Sequence, residues 1–228
     1  MSPDNRLRGI VFDLDGTLYD KRPLERFMMR RFWYALHLLL RYRNVRKSLA
    51  GEEHGDYESI TRAALQRLSR RPRAQQRWLR WIREQYDPTV SEGMRTVARP
   101  YPGAGAMLEG LRARGFRLGL VSDYVGVDER LESLGLSPGL FDLRLETERL
   151  GAMKPAAGAV THMLEGMGLP GAELLMVGDR AFADQRFAEA AGMRFLGVQV
   201  ESRSARSQAG DWRPWSGVVA RLDQLEPA

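Results

Sequence analysis

The sequence contains no cysteine and only three histidines. The first absence excludes disulfides, thiol nucleophiles, cysteine-based zinc sites and iron–sulfur clusters together. The histidines His37, His54 and His162 are scattered, with no spacing that would build a histidine metal site. Long hydrophobic runs are also missing. The most apolar window, 32–40, is interrupted by His37 and flanked by arginines, far short of the roughly 20 residues that span a bilayer. The polar opening Met1–Arg8 lacks the apolar core of a secretory signal. No internal repeat or low-complexity tract is present. No phosphate loop ending in Gly-Lys-Ser/Thr occurs, and Gly103-Ala104-Gly105 fails as a dinucleotide fingerprint because position 108 is leucine. The expectation is a soluble cytoplasmic protein without a transmembrane segment.

What is present is a globular composition: 228 residues, 43% apolar and 28% charged. That is enough chain to bury a sizeable core, and it excludes a disordered tail or a collagen-like repeat. The net charge of +6 is unevenly spread: residues 21–98 hold 18 Lys/Arg against 8 Asp/Glu, and the remainder holds 17 against 21. One segment is basic and the rest mildly acidic. Such asymmetry points to an anionic partner for the basic segment, or to solvated helix faces written in arginine.

Two textures alternate along most of the chain. Residues 9–14, 117–122, 141–145, 173–178 and 193–199 are short apolar runs ending in turn signals, which predict buried strands. Helical patterns lie between them, near 104–114, 127–134, 156–167 and 183–191. Strand alternating with helix implies a parallel sheet covered on both faces. The segment 21–98 breaks that rhythm. Apolar residues at 28, 32, 35, 36, 39 and 40 predict one helix; Leu65 with Leu68, and then Trp78, Leu79, Ile82 and Tyr86, predict two more. The expected organisation is an α/β core, 1–20 and 99–228, interrupted after its first strand by an all-helical insert, 21–98. The tail 201–216 reads as a surface loop, with Val218 and Val219 opening a last edge strand.

The sharpest chemical feature is Phe12-Asp13-Leu14-Asp15-Gly16-Thr17-Leu18. Two carboxylates follow a buried strand at the end where ligands bind in open α/β sheets. One could act as nucleophile or metal ligand while the other handles a proton. Ser122 ends a second strand, and its hydroxyl suits a phosphate oxygen. Lys154 precedes Pro155 and, if it points inward, would bind an anion and screen carboxylates. Gly178-Asp179 and Asp184 place two more acids after a fourth strand. Four acids at one edge repel unless a cation joins them, and oxygen ligation without cysteine favours Mg2+.

In that order, Asp13-x-Asp15-Gly16-Thr17, Ser122, Lys154-Pro155 and Gly178-Asp179-xxxx-Asp184 resemble the four motifs of the haloacid dehalogenase-like hydrolase superfamily. The resemblance covers essentially everything outside the insert. It implies a Rossmann-like doubly wound core with a helical cap inserted between the first and second motifs. It implies that Asp13 is the nucleophile of an aspartyl-phosphate mechanism, and that Asp15 is the acid and base. Ser122 and Lys154 would hold the phosphoryl group. Asp13, the carbonyl of Asp15 and Asp179 would bind Mg2+, with Asp184 orienting its water shell or Lys154. Members that displace halide lack the second Asp, so Asp15 favours phosphate esters. Arg180, Asp123 and Ala183 depart from the usual pattern, and Arg180 reads as a surface helix residue in preference to a substrate contact. Phe32-Trp33-Tyr34 and Trp78-x-x-Trp81 read as helix packing.

The expected activity is a Mg2+-dependent phosphatase acting on a small phosphorylated metabolite met by cap residues such as Arg26, Arg30 or Arg77. A sugar phosphomutase shares the chemistry but returns the phosphoryl group. A third reading makes the basic cap a docking surface for a polyanion, through 41–47 and 67–77; nucleic acid is not the expected partner.

Overall fold

Every residue of β1 (Gly9–Phe12) is buried. A strand covered on both faces belongs inside a sheet, and β1 lies within a six-stranded one of order β3-β2-β1-β4-β5-β6. The other strands are β2 (Arg117–Ser122), β3 (Leu143–Glu146), β4 (Leu174–Gly178), β5 (Arg194–Val198) and β6 (Asp211–Arg213). All neighbours run parallel. The computed structural model describes residues 7–199 and 210–227.

Side chains alternate across the strands and sort into two cores. Ile10 and Phe12 face Leu118, Leu120, Leu175 and Val177, beneath α6 (Ala104–Ala113), α7 (Val127–Ser133) and α10 (Trp215–Asp223). Val11, Val121 and Met176 face the opposite way, beneath α8 (Ala157–Met167) and α9 (Arg186–Ala190). Each large side chain so buried contributes roughly 1.5–3 kcal/mol. The sheet is therefore doubly wound and Rossmann-like.

Between β1 and β2 the described elements before α6 are all helical: α1 (Arg22–Arg31), α2 (Leu36–Ser48), α3 (Tyr57–Leu68), α4 (Pro72–Trp81) and α5 (Asp87–Thr96). The single helix expected through residues 28–40 is in fact two, separated by a 3-10 turn at Trp33–Ala35. Met28, Phe32, Ala35 and Leu39 face inward, whereas Leu36 and Leu40 reach solvent. Between α4 and α5 the helical path continues through a π-helical segment, Ile82–Tyr86. Pro88 follows one residue later, in the first turn of α5. It has no N–H to offer the preceding turn, and a widened turn absorbs the loss.

The aromatic residues pack these helices together. The Trp81 ring lies 5.3 Å from Phe32 and 5.5 Å from Trp78, and Tyr42 meets Tyr86 at 4.8 Å. Trp33 and Tyr34 instead stand at the surface. The insertion also joins the core through backbone. Gly51 N–H donates to Met153 O at 3.2 Å and His54 N–H to Gly151 O at 2.7 Å. Leu49, Ile60 and Ala64 close over Met153 as a small third core.

The tail differs from its expectation. Residues 201–209 of the anticipated loop lie outside the described residues, but Asp211–Arg213 form strand β6 beside β5. Val218 and Val219, expected in a strand, belong to α10. Val218 and Leu222 stand one helical turn apart and are both buried, so the apolar face overrides the strand preference of a β-branched pair. Among the described residues, no helix is long and apolar enough to cross a membrane.

Candidate active site

β1 and β4 are adjacent, and the chain leaves them toward opposite sides of the sheet. That makes the carboxyl edge between them the switch point, where such sheets bind ligands. Asp13 follows β1 there and Asp179 follows β4. Asp13 N–H still donates to Val177 O at 2.9 Å, so the ladder fixes the backbone under the first acid. Gly16 then turns the chain with φ +93°, and a Cβ on it would lie 2.5 Å from Asp179 Oδ2. Gly178 has the same function in β4, since a Cβ there would lie 2.4 Å from the Asp184 Cβ. Both glycines are required by close approach.

Lys154 sits at the centre, with no solvent exposure. Its Nζ donates to Asp13 Oδ1 at 2.7 Å, Asp184 Oδ1 at 2.7 Å and Val121 O at 2.9 Å. Burial opposes its charge, but Asp13, Asp184 and Asp123 outweigh burial and raise its pKa. Thr17 Oγ1 donates to the other Asp13 oxygen at 3.0 Å. Asp13 is raised well above the usual carboxylate range, by burial first and by Asp184 second, despite Lys154 and Arg180. Asp179 is raised as well, chiefly by burial. The Ser122 hydroxyl is fully buried and accepts the Tyr124 N–H at 3.2 Å. Carboxylate oxygens of Asp13, Asp179 and Asp184 lie within 4.8 Å of one another.

Asp15 stands apart from that cluster. One oxygen accepts from Tyr19 Oη and from Arg130; the other is buried without a hydrogen-bond partner. Burial works against ionising Asp15, but Arg130, Tyr19 and Lys21 overcome it and lower its pKa.

The sequence model of the haloacid dehalogenase-like hydrolases matches residues 7–192. The chain belongs to this family. A glyceraldehyde 3-phosphate phosphatase from Methanocaldococcus jannaschii is 27% identical over 210 residues, 82% of each chain. A phosphoglycolate phosphatase from Rhodospirillum rubrum is 31% identical over 193 residues, covering 82% of this chain and 77% of the relative. Among solved structures, a 2-haloacid dehalogenase from Pseudomonas syringae superposes with a TM-score of 0.59 at 21% identity, covering 94% of this chain and 99% of that one. The fold is thus common to dehalogenases and phosphatases, and the reaction has to be read from the site.

Lys21 and Arg130 of this haloacid dehalogenase-like site were not singled out by sequence reasoning, and Arg180 and Asp123 were noted only as departures from the motif pattern. Arg180, expected at the surface, turns inward. It donates to Asp123 Oδ2 at 2.7 Å and stands 3.9 Å from Asp13 Oδ1. The reason is local: Asp184 Oδ2 accepts the Arg180 backbone N–H at 2.9 Å, and Arg180 O receives the Asp184 N–H at 2.8 Å. That reciprocal pair aims the arginine across the sheet edge. Asp123 is a structural hub, accepting also from Thr147 Oγ1 at 2.8 Å and Lys154 N–H at 2.9 Å. Burial opposes its ionisation, and Lys154 and Arg180 hold its pKa low. Arg46, from α2, donates to Asp123 O at 3.0 Å and forms a two-pronged pair with Glu148 at 2.5 and 2.9 Å. Lys21 donates to Asp179 Oδ2 and, at 3.3 Å, to Asp15 O. The acids expected to need an added cation are therefore already partnered in part by Lys154, Arg180, Lys21 and Arg130.

Proposed function

We propose that this protein is a Mg2+-dependent phosphatase that hydrolyses a small phosphorylated metabolite through a phosphorylated Asp13. The observation that carries the reading is the convergence of Asp13 with Lys154 and Asp184 at 2.7 Å contacts, two residues before a second carboxylate. A halide leaving group needs no proton, whereas an alkoxide does, so Asp15 favours a phosphate ester over an alkyl halide. The relatives named for phosphoglycolate and glyceraldehyde 3-phosphate support a substrate of two or three carbons.

In this reading an Asp13 oxygen attacks phosphorus and the bond to the leaving oxygen breaks, with Asp15 supplying that oxygen its proton. Asp15 then takes a proton from water as the water oxygen attacks phosphorus. Inorganic phosphate leaves and the Asp13 carboxylate is restored. Ser122 and Lys154 hold the transferring group throughout. Arg130 and Tyr19 keep Asp15 ionised, the form that accepts a proton in the second step. Donation in the first step requires Arg130 to part from it when substrate enters.

The donor set suits a hard divalent cation. Asp13, Asp179 and Asp184 offer clustered carboxylate oxygens, and the first two carry raised pKa values even beside Lys154 and Lys21. Asp13, Asp179 and the carbonyl of Asp15 would hold the ion, with Asp184 positioned behind them. Mg2+ there would neutralise phosphoryl oxygens and align them for in-line attack. The helical segment 21–98 serves as the cap that covers this edge of the core, 1–20 and 99–228.

A polyanion-docking role for the insert is less well supported. Arg41, Arg43, Arg46 and Arg67 are engaged with Leu68 O, Glu25, Glu148 and Glu52 of the same chain. The deciding experiment is phosphate release from a panel of two- to six-carbon phosphate esters with Mg2+. A strong signal is expected from the wild type and none from Asp13→Asn. Equal release by the two proteins would refute the assignment, and an isomer in place of free phosphate would mark a mutase.

A further inference from the structure

Among the described residues, Lys21 is the one cation of the site that the first residues of the helical insertion supply. It directly precedes α1, whose first turn holds Pro23. Its ammonium bonds both Asp179 Oδ2 and the Asp15 carbonyl oxygen. These are two of the three acceptors assigned above to Mg2+, and any role for Lys21 at the metal position rests on that assignment. The fit is close: a Cβ on Gly16 would lie 2.8 Å from Lys21 Nζ and 2.5 Å from Asp179 Oδ2.

The other cations are committed elsewhere. Lys154 is enclosed by Asp13, Asp184 and Val121 O. Arg180 makes its short bond to Asp123, and Arg130 makes its bonds to Asp15 and Tyr19. Lys21 differs in another respect. Its side chain is 24% exposed, whereas that of Asp179 is fully buried. The ammonium thus has a way out to solvent, on a flexible four-carbon stem, and the carboxylate it covers does not.

We propose that Lys21 is a resident counter-ion of the metal position, which Mg2+ must displace. Two cations cannot share the same Asp179 oxygen and the same carbonyl without strong repulsion. With the ammonium in place, Asp179 is neutralised and the pocket is closed to the ion. With the ion in place, the lysine is expelled into solvent and the entry to α1 loses its tie to the core. Metal affinity is then reduced by the fraction of molecules in which the lysine is seated. Metal occupancy is also coupled to the junction at 20–22, where the insertion begins.

The test is calorimetric titration of Mg2+ into the substrate-free protein, comparing wild type, Lys21→Ala, Lys21→Gln and Asp179→Asn. Lys21→Gln retains a polar stem should Lys21→Ala fold poorly, and circular dichroism checks the fold of each. Both lysine variants are expected to bind Mg2+ about tenfold more tightly than wild type. Without Mg2+ they should melt at a lower temperature than wild type, and saturating Mg2+ should close that gap. Wild-type or weaker Mg2+ affinity in a folded lysine variant overturns the proposal while leaving the metal assignment intact, provided Asp179→Asn has lost binding. Undiminished binding by Asp179→Asn would place the ion elsewhere and overturn both.

Discussion

Lys154 is the residue on which the local energetics turn. It is enclosed, and the oxygens it bonds include two carboxylates from different motifs, Asp13 and Asp184. Removing one partner of a buried charge cluster leaves the others uncompensated. Lys154→Met, close in volume, is expected to lower stability by about 3–5 kcal/mol in urea unfolding. A loss below about 1 kcal/mol would mean that the neighbouring cations carry the load. Asp13, Ser122 and Asp179 were legible as sheet-edge positions because each ends or directly follows a buried strand, whereas Lys154 and Asp184 stand eight and six residues beyond β3 and β4 and are brought to the edge by the segments between. Lys21, Arg130, Arg180 and Arg46 were not legible. Their charged ends lie several bonds from the backbone, and where those ends arrive depends on packing between elements far apart in sequence. Only for Arg180 was there a local signal: Asp184 stands four residues on, in reach of its backbone N–H.

At the scale of elements, the five strands expected between residues 9 and 199 and the core helices between them fall where hydrophobic periodicity put them, within a few residues, and the strand expected at 218–219 does not. Periodicity failed where two packing demands met. Positions 28–40 satisfy one helical stripe, but the structure breaks the helix to seat Phe32 against Trp81 and turns Leu36 and Leu40 outward. The start of α5 carries a separate consequence. Asp87 reaches solvent on one side, but desolvation on its inner side, followed by nearby Glu148, pushes its pKa up to about 6. A carboxyl raised in the folded state binds its proton more tightly there than in the unfolded chain. Its contribution to stability is therefore present below about pH 4 and is lost as pH rises through about 6. Asp87→Asn should raise stability at pH 8 by a few tenths to about 1 kcal/mol after solvent screening, read as a higher melting temperature, and should change little at pH 4. Equal effects at both pH values would show that the carboxyl's charge is not the cause.

For the molecule as a whole, the insertion and the core meet through Arg46, the 49–56 backbone and the small core around Met153. Arg46 is the electrostatic part of that junction, since it bonds both Glu148 and the Asp123 carbonyl. Arg46→Met is expected to speed hydrogen exchange at the Gly51 and His54 amides at least about tenfold through local opening. The amides of β1 and β4 should keep their protection. Unchanged exchange at Gly51 and His54 would mean that apolar contacts alone hold the junction. The alternation of strand and helix made the doubly wound core legible, and the strand-free stretch corresponds to the helices α1 to α5. How the two are fastened together was not legible, because both halves of each fastening lie in stretches that read as ordinary loops or solvated helix.

The place of β1 in the sheet also bears on how the chain is made. Gly9 pairs with Arg117 on one side and Leu174 on the other. The central strand is therefore synthesised before the other strands of its sheet and gains its second neighbour only when β4 emerges. At about 5–20 residues per second, the β4 partner follows on the order of ten seconds later. Helices α1 to α5 emerge meanwhile and have mostly one another to contact. The nascent chain thus carries a folded or folding helical bundle tethered to an unpaired apolar strand, and a cell that makes this protein has to shelter Ile10-Val11-Phe12 until the far half of the sheet leaves the ribosome.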